Sequence, residues 1–342
     1  MINLIIITPI VILILNYIFN EKNFLQSLTG DKHQLFVEKK NIPLSGGLAI
    51  FLLSLYVINF QIKIFYLIFI LIFLVGLLSD IKIIISAKKR FLFQVLTIFV
   101  FVFYYDFSIS NVKVFFIDYF LEYKIFSYLF VTFCLLIVVN GTNFLDGLNG
   151  LVLGYYIIVI CTLFNSDLFS NYFNLDNYLL KFLIILIFLL VFNYLNKLYL
   201  GDSGSYLLGL VIGVFLIFTY NNFKNISPFF IVLLLWYPCF ENLFSILRKY
   251  KFNLSPLEAD NKHFHQLLFN FIKKKFRYNN LLTNNLTSLV INIFNFVIFY
   301  VGSKNIYDSK LQIALIFLCI LTYGYLYFKL FNFRFLNKKN RF

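Results

Sequence analysis

The residues of this chain whose types and spacing suit chemistry fall in five short polar segments. In Asn140-Gly-Thr-Asn143-Phe-Leu-Asp146-Gly-Leu-Asn149-Gly150-Leu151, Asn and Asp recur every three residues, so helical geometry sets them on neighbouring surfaces. Their oxygens are hard ligands that suit Mg²⁺, and Gly147 and Gly150 would let a backbone approach a phosphate. A helix end, a turn and an N-cap use the same residue types, so a purely structural reading stays open. Leu200-Gly-Asp202-Ser-Gly204-Ser205 opens an apolar run. A helix N-terminus with a carboxylate beside it can hold a diphosphate and its Mg²⁺, and it is equally a plain N-cap.

Gly76-Leu-Leu-Ser79-Asp80 ends another apolar run, with Lys88, Lys89, Arg90 and Gln94 close behind. Cations beside a span are ordinary anchors; Asp80 is the less expected residue. Ser255-Pro-Leu-Glu258-Ala-Asp260-Asn-Lys262-His263-Phe-His265-Gln266 follows Glu241, Arg248 and Lys249 and joins a His-x-His pair to cations able to meet phosphate oxygens. With no Cys or third His alongside, zinc is discounted; the plain alternative is a solvated loop. Asp31-Lys32-His33 and Pro43-Leu-Ser-Gly46-Gly47 stand between the first two apolar runs. Pro followed by Gly-Gly at a helix entrance suits close packing or phosphate approach.

The elements that must position these segments are membrane spans. Of the 342 residues, 61% are hydrophobic, 13% charged and 21% aromatic, including 48 Phe and 24 Tyr. The charged share is about half that of an ordinary soluble chain, which excludes a disordered chain, a fibrous one and a water-soluble enzyme. Crossing a bilayer takes roughly 17–25 apolar residues. Runs near that length fall at about 2–19, 43–60, 62–79, 90–106, 125–140, 148–164, 178–196, 203–220, 227–247, 285–301 and 311–333. The expected fold is an all-α polytopic membrane protein of about 11 transmembrane helices, a single domain over residues 1–342. Of the basic residues, 22 lie after odd-numbered spans and seven on the other side, which puts the N-terminus outside and the C-terminus in the cytoplasm. The net charge of +14 then belongs to the cytoplasmic face and not to nucleic acid. The polar segments share that face, in loops at about 20–43, 80–90, 140–150, 196–205 and 248–284. Cys134, Cys161, Cys239 and Cys319 stand singly in apolar runs, as core residues do. The first run lacks a basic leader and a cleavage site, so it reads as a retained span.

In this order and on one face, the five segments resemble those of the polyprenyl-phosphate N-acetylhexosamine-1-phosphate transferases. That is the family of the WecA-type enzymes and of the MraY-type phospho-MurNAc-pentapeptide translocases, and the likeness runs from about Asp31 to Gln266. It implies transfer of a sugar-1-phosphate from a UDP-N-acetylhexosamine to undecaprenyl phosphate or a related lipid, releasing UMP, with Mg²⁺ (or Mn²⁺) as cofactor. It implies a multi-pass enzyme of the bacterial inner membrane with its active site toward the cytoplasm, working within the lipid bilayer and compatible with a homodimer. Carried over residue by residue, Asp202 is the expected metal ligand, helped by Asn143. Asp80, Asp146 and Asp202 match catalytic carboxylates, and His263 is counted with them. Asn149 and Tyr199 match positions lining the uracil pocket. Lys88, Arg90, His263 and His265 match groups that face the phosphates.

Three residues depart from the family pattern. Ser79 replaces the leading Asp of an Asp-Asp pair, Asn149 replaces an Asp, and Gln266 replaces the last His of His-x-His-His. The first weakens any scheme that needs the leading Asp as a base. A phosphate monoester has a second pKa of roughly 6, so the lipid phosphate is largely a dianion at neutral pH and needs positioning more than deprotonation. The thin histidine cluster favours the WecA-like group, which would use UDP-GlcNAc or a related sugar to start a surface polysaccharide or O-antigen, over the peptidoglycan translocase. The rival of another class is a transporter or lipid flippase. Such proteins place ionisable sites near the midplane, whereas these carboxylates stand at span ends and only Glu241 lies deeper. A catalytically inactive relative is kept open by Ser79 and opposed by Asp80, Asp146 and Asp202 occurring together.

Overall fold

The computed structural model describes residues 2–27, 42–57, 63–166, 173–223, 225–253, 255 and 260–335. Asp31, Lys32, His33 and Glu258 of the polar segments lie outside them. Among the described residues the chain is nearly all helix. In order come α1 (Ile2–Glu21), α2 (Gly46–Val57), α3 (Lys63–Asp80), α4 (Ala87–Tyr104), α5 (Phe115–Leu121), α6 (Lys124–Leu145) and α7 (Leu151–Asn165). Then follow α8 (Phe173–Tyr194), α9 (Gly201–Asn222), α10 (Pro228–Leu234), α11 (Trp236–Lys251), α12 (Phe264–Phe276), α13 (Asn280–Ser303) and α14 (Ser309–Phe335). The exception to an all-α chain is an antiparallel pair, β1 (Gln26–Ser27) with β2 (Ile42–Pro43).

Each of the eleven apolar runs carries a helix. Among the described residues, six helices are long and apolar enough to cross a membrane, or seven with one bent pair counted as a span. Gly46–Val57, Tyr66–Asp80 and Leu151–Asn165 are shorter apolar helices. The run at 227–247 is not one straight span: α10 and α11 meet at Leu235 with a bend of 74°. Pro238 explains the break. It has no N–H to give the carbonyl of Leu234 four residues back, and that carbonyl accepts from the Tyr155 hydroxyl at 2.9 Å instead. Two helices stand outside the eleven runs, α5 and α12. The latter is amphipathic, with Lys273, Lys274 and Lys275 in its last turn, and is too polar to register as a span.

Burial orders the bundle. In α9 78% of the apolar window is buried, against 33% in α1 and 28% in α14. The outer helices turn large apolar side chains outward, as Ile5, Leu13, Phe317 and Leu321 do, which only lipid can solvate. The central helix is therefore α9, and its first turn is where the polar segments gather.

Candidate active site

The end of α3 reverses at Lys82, which takes φ +62°, and the N–H of Ile83 donates back to Leu78. That left-handed closure of a helix C-terminus starts α4 alongside, so Arg90 in its first turn faces the end of α3. Arg90 Nη1 donates to Asp202 Oδ2 at 2.6 Å and to Ser79 Oγ at 2.7 Å. The Ser79 hydroxyl donates to the same Asp202 oxygen at 2.5 Å. From the far end of α6, Asn143 Nδ2 donates to Asp202 Oδ1 at 2.8 Å and to Ser205 Oγ at 2.9 Å. Both Asp202 oxygens are thus held by residues from three other elements, and the side chain keeps 23% of its exposure.

Asp80 does something different from its neighbours. It accepts from the backbone N–H groups of Asp202 (2.8 Å) and Ser203 (3.0 Å) and from the Ser203 hydroxyl (2.6 Å). These are first-turn donors of α9 with no partner inside their own helix, so a carboxylate from α3 caps α9. Gly201 makes room for it: the residue sits at φ +72°, and a Cβ there would stand 2.8 Å from Asp80 Oδ2.

Asp146 follows the last residue of α6 in the turn that leads to α7. Among the described residues no donor reaches its carboxyl, and recession from water, then the charges of Asp202 and Asp80, hold it well above the usual carboxylate range. Tyr199 stands on the other side, its hydroxyl pushed up to about 12 by burial and by Asp146. Asn149 is buried, with Nδ2 donating to Asn196 Oδ1 at 3.2 Å. Gly147 and Gly150 do not open the turn to a phosphate. The space a Cβ would take is filled by the His265 ring at Gly147 and by the Tyr194 ring at Gly150. Gly46 and Gly47 likewise pack on the start of α9, against Tyr199, Leu200 and Ser203.

The histidines are not solvated loop residues. His263, at the entrance of α12, is 6% exposed, with Nδ1 2.9 Å from Glu241 Oε1 and Nε2 3.4 Å from Asp260 Oδ1. His265 is fully buried, parallel to the His263 ring at 5.7 Å, and among the described residues neither ring nitrogen has a hydrogen-bond partner. Burial, and then His263, depress its pKa to about 3, so it is a neutral imidazole. Gln266 Oε1 accepts from the His263 N–H at 3.2 Å, which closes the first turn of α12. Behind them Arg248 donates to Asp260 Oδ2 at 2.7 Å and to the Tyr327 hydroxyl at 2.8 Å, while the Tyr323 hydroxyl donates to Glu241 Oε2 at 2.7 Å. Lys249 is buried with its ammonium over Phe144, the neighbour of Asn143. Lys88 lies exposed on the first turn of α4, apart from these contacts.

The structure therefore gathers Ser79, Asp80, Arg90, Asn143, Asp146, Tyr199 and Asp202 around one helix terminus, with His263 and His265 on the flank that touches Gly147. Sequence reasoning missed Asn193, Asn284 and Asn292, which hold the turn after Asp146; their signal was amide side chains spaced through apolar helices.

Among the described residues no three His, Cys, Asp or Glu side chains stand close enough to hold a metal ion unaided. The donors that are present suit Mg²⁺ nonetheless. That ion takes one or two carboxylates and completes its shell with water and substrate phosphate, and Asp202 offers one carboxylate with the Asn143 amide beside it. Asp202 and Asp80 add, behind recession from water, to the rise at Asp146, and a divalent cation would offset their negative charge.

Comparison with known proteins agrees with this geometry. Residues 62–220, which hold Ser79, Asp80, Arg90, Asn143, Asp146, Asn149, Tyr199 and Asp202, match the model of glycosyl transferase family 4. A Methanocaldococcus jannaschii protein named as a glycosyltransferase is 29% identical over 204 residues, 58% of this chain and 60% of that protein. A Bacillus subtilis protein, whose name describes an undecaprenyl-phosphate N-acetylglucosaminyl 1-phosphate transferase, is 28% identical over 248 residues, 69% of this chain and 68% of that protein. Residues 62–220 are thus similar to glycosyl transferase family 4, which supports the likeness to the WecA- and MraY-type family that the motifs carry.

Proposed function

We propose that this chain transfers an N-acetylhexosamine-1-phosphate, GlcNAc-1-phosphate in the first instance, from a UDP-sugar to a polyprenyl phosphate such as undecaprenyl phosphate, releasing UMP. The observation that carries this reading is the meeting of Asp80, Asp146 and Asp202, from three separate segments, with Arg90 and Asn143 at the N-terminus of α9. The name of the Bacillus relative supports the same substrates. A lipid phosphate oxygen attacks the β-phosphorus of the UDP-sugar, the bond from that phosphorus to the bridging oxygen breaks, and UMP departs with the electron pair. The anomeric C–O bond stays intact.

Mg²⁺, held by Asp202 with Asn143 beside it, would neutralise diphosphate charge and polarise the phosphorus under attack. The chain's own residues do the rest. Arg90, fixed by Ser79, offers its remaining N–H donors to phosphate oxygens, and the backbone dipole of α9 favours anions at the same end. Asp80 keeps the first turn of α9, and therefore Asp202, in place. Asp146, its carboxyl held above the usual range by recession from water and by Asp202 and Asp80, faces the phosphates, and Tyr199 and Asn149 border the nucleotide end. Glu241 and Asp260 hold His263 at the edge of the site, and neutral His265 backs the Asp146 turn. The residues named lie where spans end, which supports a reaction at the membrane surface; the proposal sets the nucleotide on the cytoplasmic side of the bacterial inner membrane.

The reading is tested by UMP release from the purified protein with Mg²⁺, undecaprenyl phosphate and a panel of UDP-sugars, beside Asp202→Ala. Release that needs the lipid phosphate and disappears in the variant is expected. Full activity of Asp202→Ala would sink the proposal.

A further inference from the structure

The turn that carries Asp146 and Asn149 is not held by its own segment. Three backbone groups of Asn149 and Gly150 are met by asparagine side chains from two distant helices. The Asn149 N–H donates to Asn284 Oδ1 at 2.7 Å, and the Gly150 N–H donates to Asn193 Oδ1 at 2.5 Å. The Gly150 carbonyl accepts from Asn292 Nδ2 at 3.0 Å. Asn193 is itself locked by donating to the Leu198 carbonyl at 2.8 Å, on the way to Tyr199. The turn needs such help because Gly150 adopts φ +74° and the N–H groups of Asn149 and Gly150 precede α7, where no helical acceptor exists; the Gly150 carbonyl, which accepts from the Gly154 N–H at 3.0 Å, takes Asn292 as a second donor. Asn284 and Asn292 are 1% and 5% exposed, in a helix whose other face is apolar, so their amides have no solvent alternative.

From this we infer that Asn284 and Asn292 of α13 are positioning residues for the nucleotide side of the site: they fix the Asp146–Gly150 turn and so set the affinity for the uridine nucleotide. Both lie outside the matched segment 62–220, on a helix that otherwise reads as a plain span. The inference rests on the proposed function, and it goes further by giving the last third of the chain a share in donor recognition. The two amides work with opposite polarity. Asn284 serves through its oxygen, as an acceptor for the Asn149 N–H. Asn292 serves through its nitrogen, as a donor to the Gly150 carbonyl. An Asp at 284 keeps the needed acceptor, whereas an Asp at 292 sets oxygen against oxygen.

The test uses the full-length protein in detergent with Asn284→Ala, Asn284→Asp, Asn292→Ala and Asn292→Asp. KM for UDP-GlcNAc, KM for undecaprenyl phosphate and calorimetric binding of UMP are measured for each. Both alanine variants are expected to raise the nucleotide KM and weaken UMP binding by about tenfold, the worth of one hydrogen bond lost from an enclosed site, with the lipid KM unchanged. Asn284→Asp is expected to recover part of that loss, and Asn292→Asp to be at least as poor as Asn292→Ala. Should an alanine variant fail to fold, the Asp pair carries the test, because a role in packing alone would treat the two positions alike. Wild-type protein that neither binds UMP nor releases it overturns the functional reading and this inference together. An active wild type with unchanged nucleotide affinity in all four variants, or with equal effects at the two positions, overturns this inference alone.

Discussion

The cap that Asp80 places on α9 makes a prediction that separates holding from chemistry. Asp80→Ala leaves the N–H groups of Asp202 and Ser203 and the Ser203 hydroxyl without their acceptor. A hydrogen bond to a charged acceptor contributes about 1.5–3 kcal/mol when enclosed; at this partly exposed helix end about 1 kcal/mol each is the appropriate figure, close to the worth of a cap. Removing the carboxylate also relieves the cost of its burial and then its repulsion with Asp202, which together return about 1 kcal/mol. The expected net loss is about 2 kcal/mol, roughly a 30-fold shift toward the unfolded state. Asp80→Asn keeps an acceptor oxygen and should lose about 1 kcal/mol or less. Reversible unfolding in mixed micelles, followed through the single tryptophan, Trp236, gives both numbers. UMP release measured alongside should fall much further in Asp80→Ala than in Asp80→Asn. An alanine variant as stable as wild type, or two variants equally damaged in activity, would refute the capping role.

Other expected outcomes concern the residues around Asp202. Arg90→Lys keeps the charge but, with its one nitrogen on Ser79 and Asp202 as Arg90 Nη1 is, has no second nitrogen for phosphate oxygens, so kcat for UMP release should fall about tenfold, and about 100-fold in Arg90→Ala, where a phosphate-facing donor is lost outright. Asp146→Asn tests the sign of a raised carboxyl. Its folded-state pKa lies above the ordinary 3.8, so the native state binds more protons than the unfolded one and wild-type stability declines as pH rises through that interval. The Asn variant lacks this decline, and its melting temperature should exceed that of wild type increasingly as pH is raised from 4. Ser79→Asp brings a second carboxylate to within hydrogen-bond reach of Asp202 and should not raise kcat; a gain of tenfold or more would mean that a leading base is needed after all.

How much of this was legible in the residues differs from place to place. Asp80, Asp146 and Asp202 were visible because a carboxylate at the end of an apolar run has few other reasons to be there, and the helices that bring them together follow from the same runs. The break at Leu235 was not, although Pro238 was in view: hydropathy averages over a window, and Trp236, Tyr237 and Cys239 keep the average high through the bend. The burial of His263 and His265 was missed for a related reason. Their segment is polar, and polarity does not tell a solvated loop from one that closes against Glu241, Arg248 and Tyr323 supplied by other helices. Asn284, Ser288, Asn292 and Asn295 lie four, four and three residues apart, which is one helix face, yet a lipid-facing span can carry scattered amides, and only the fold shows them buried, Asn284 and Asn292 against the turn and Asn295 against Trp236.

The three departures from the family pattern find a common physical account. Ser79 donates to Asp202 and accepts from Arg90, Asn149 donates to Asn196, and Gln266 closes the first turn of α12 on His263. Each replacement is a neutral group whose side chain is hydrogen-bonded within the site. Two of them remove a carboxylate, which lowers the negative charge the site must balance. What remains around α9 is formally three aspartates and one arginine, Asp80, Asp146, Asp202 and Arg90, an excess of two negative charges. One divalent ion neutralises that excess, while two further carboxylates would call for a second cation or for more protons. A chain drifting away from function would be expected to lose Arg90 or Asn143 along with the carboxylates. Here Arg90 and Asn143 are both kept, and both bind the carboxylate of Asp202.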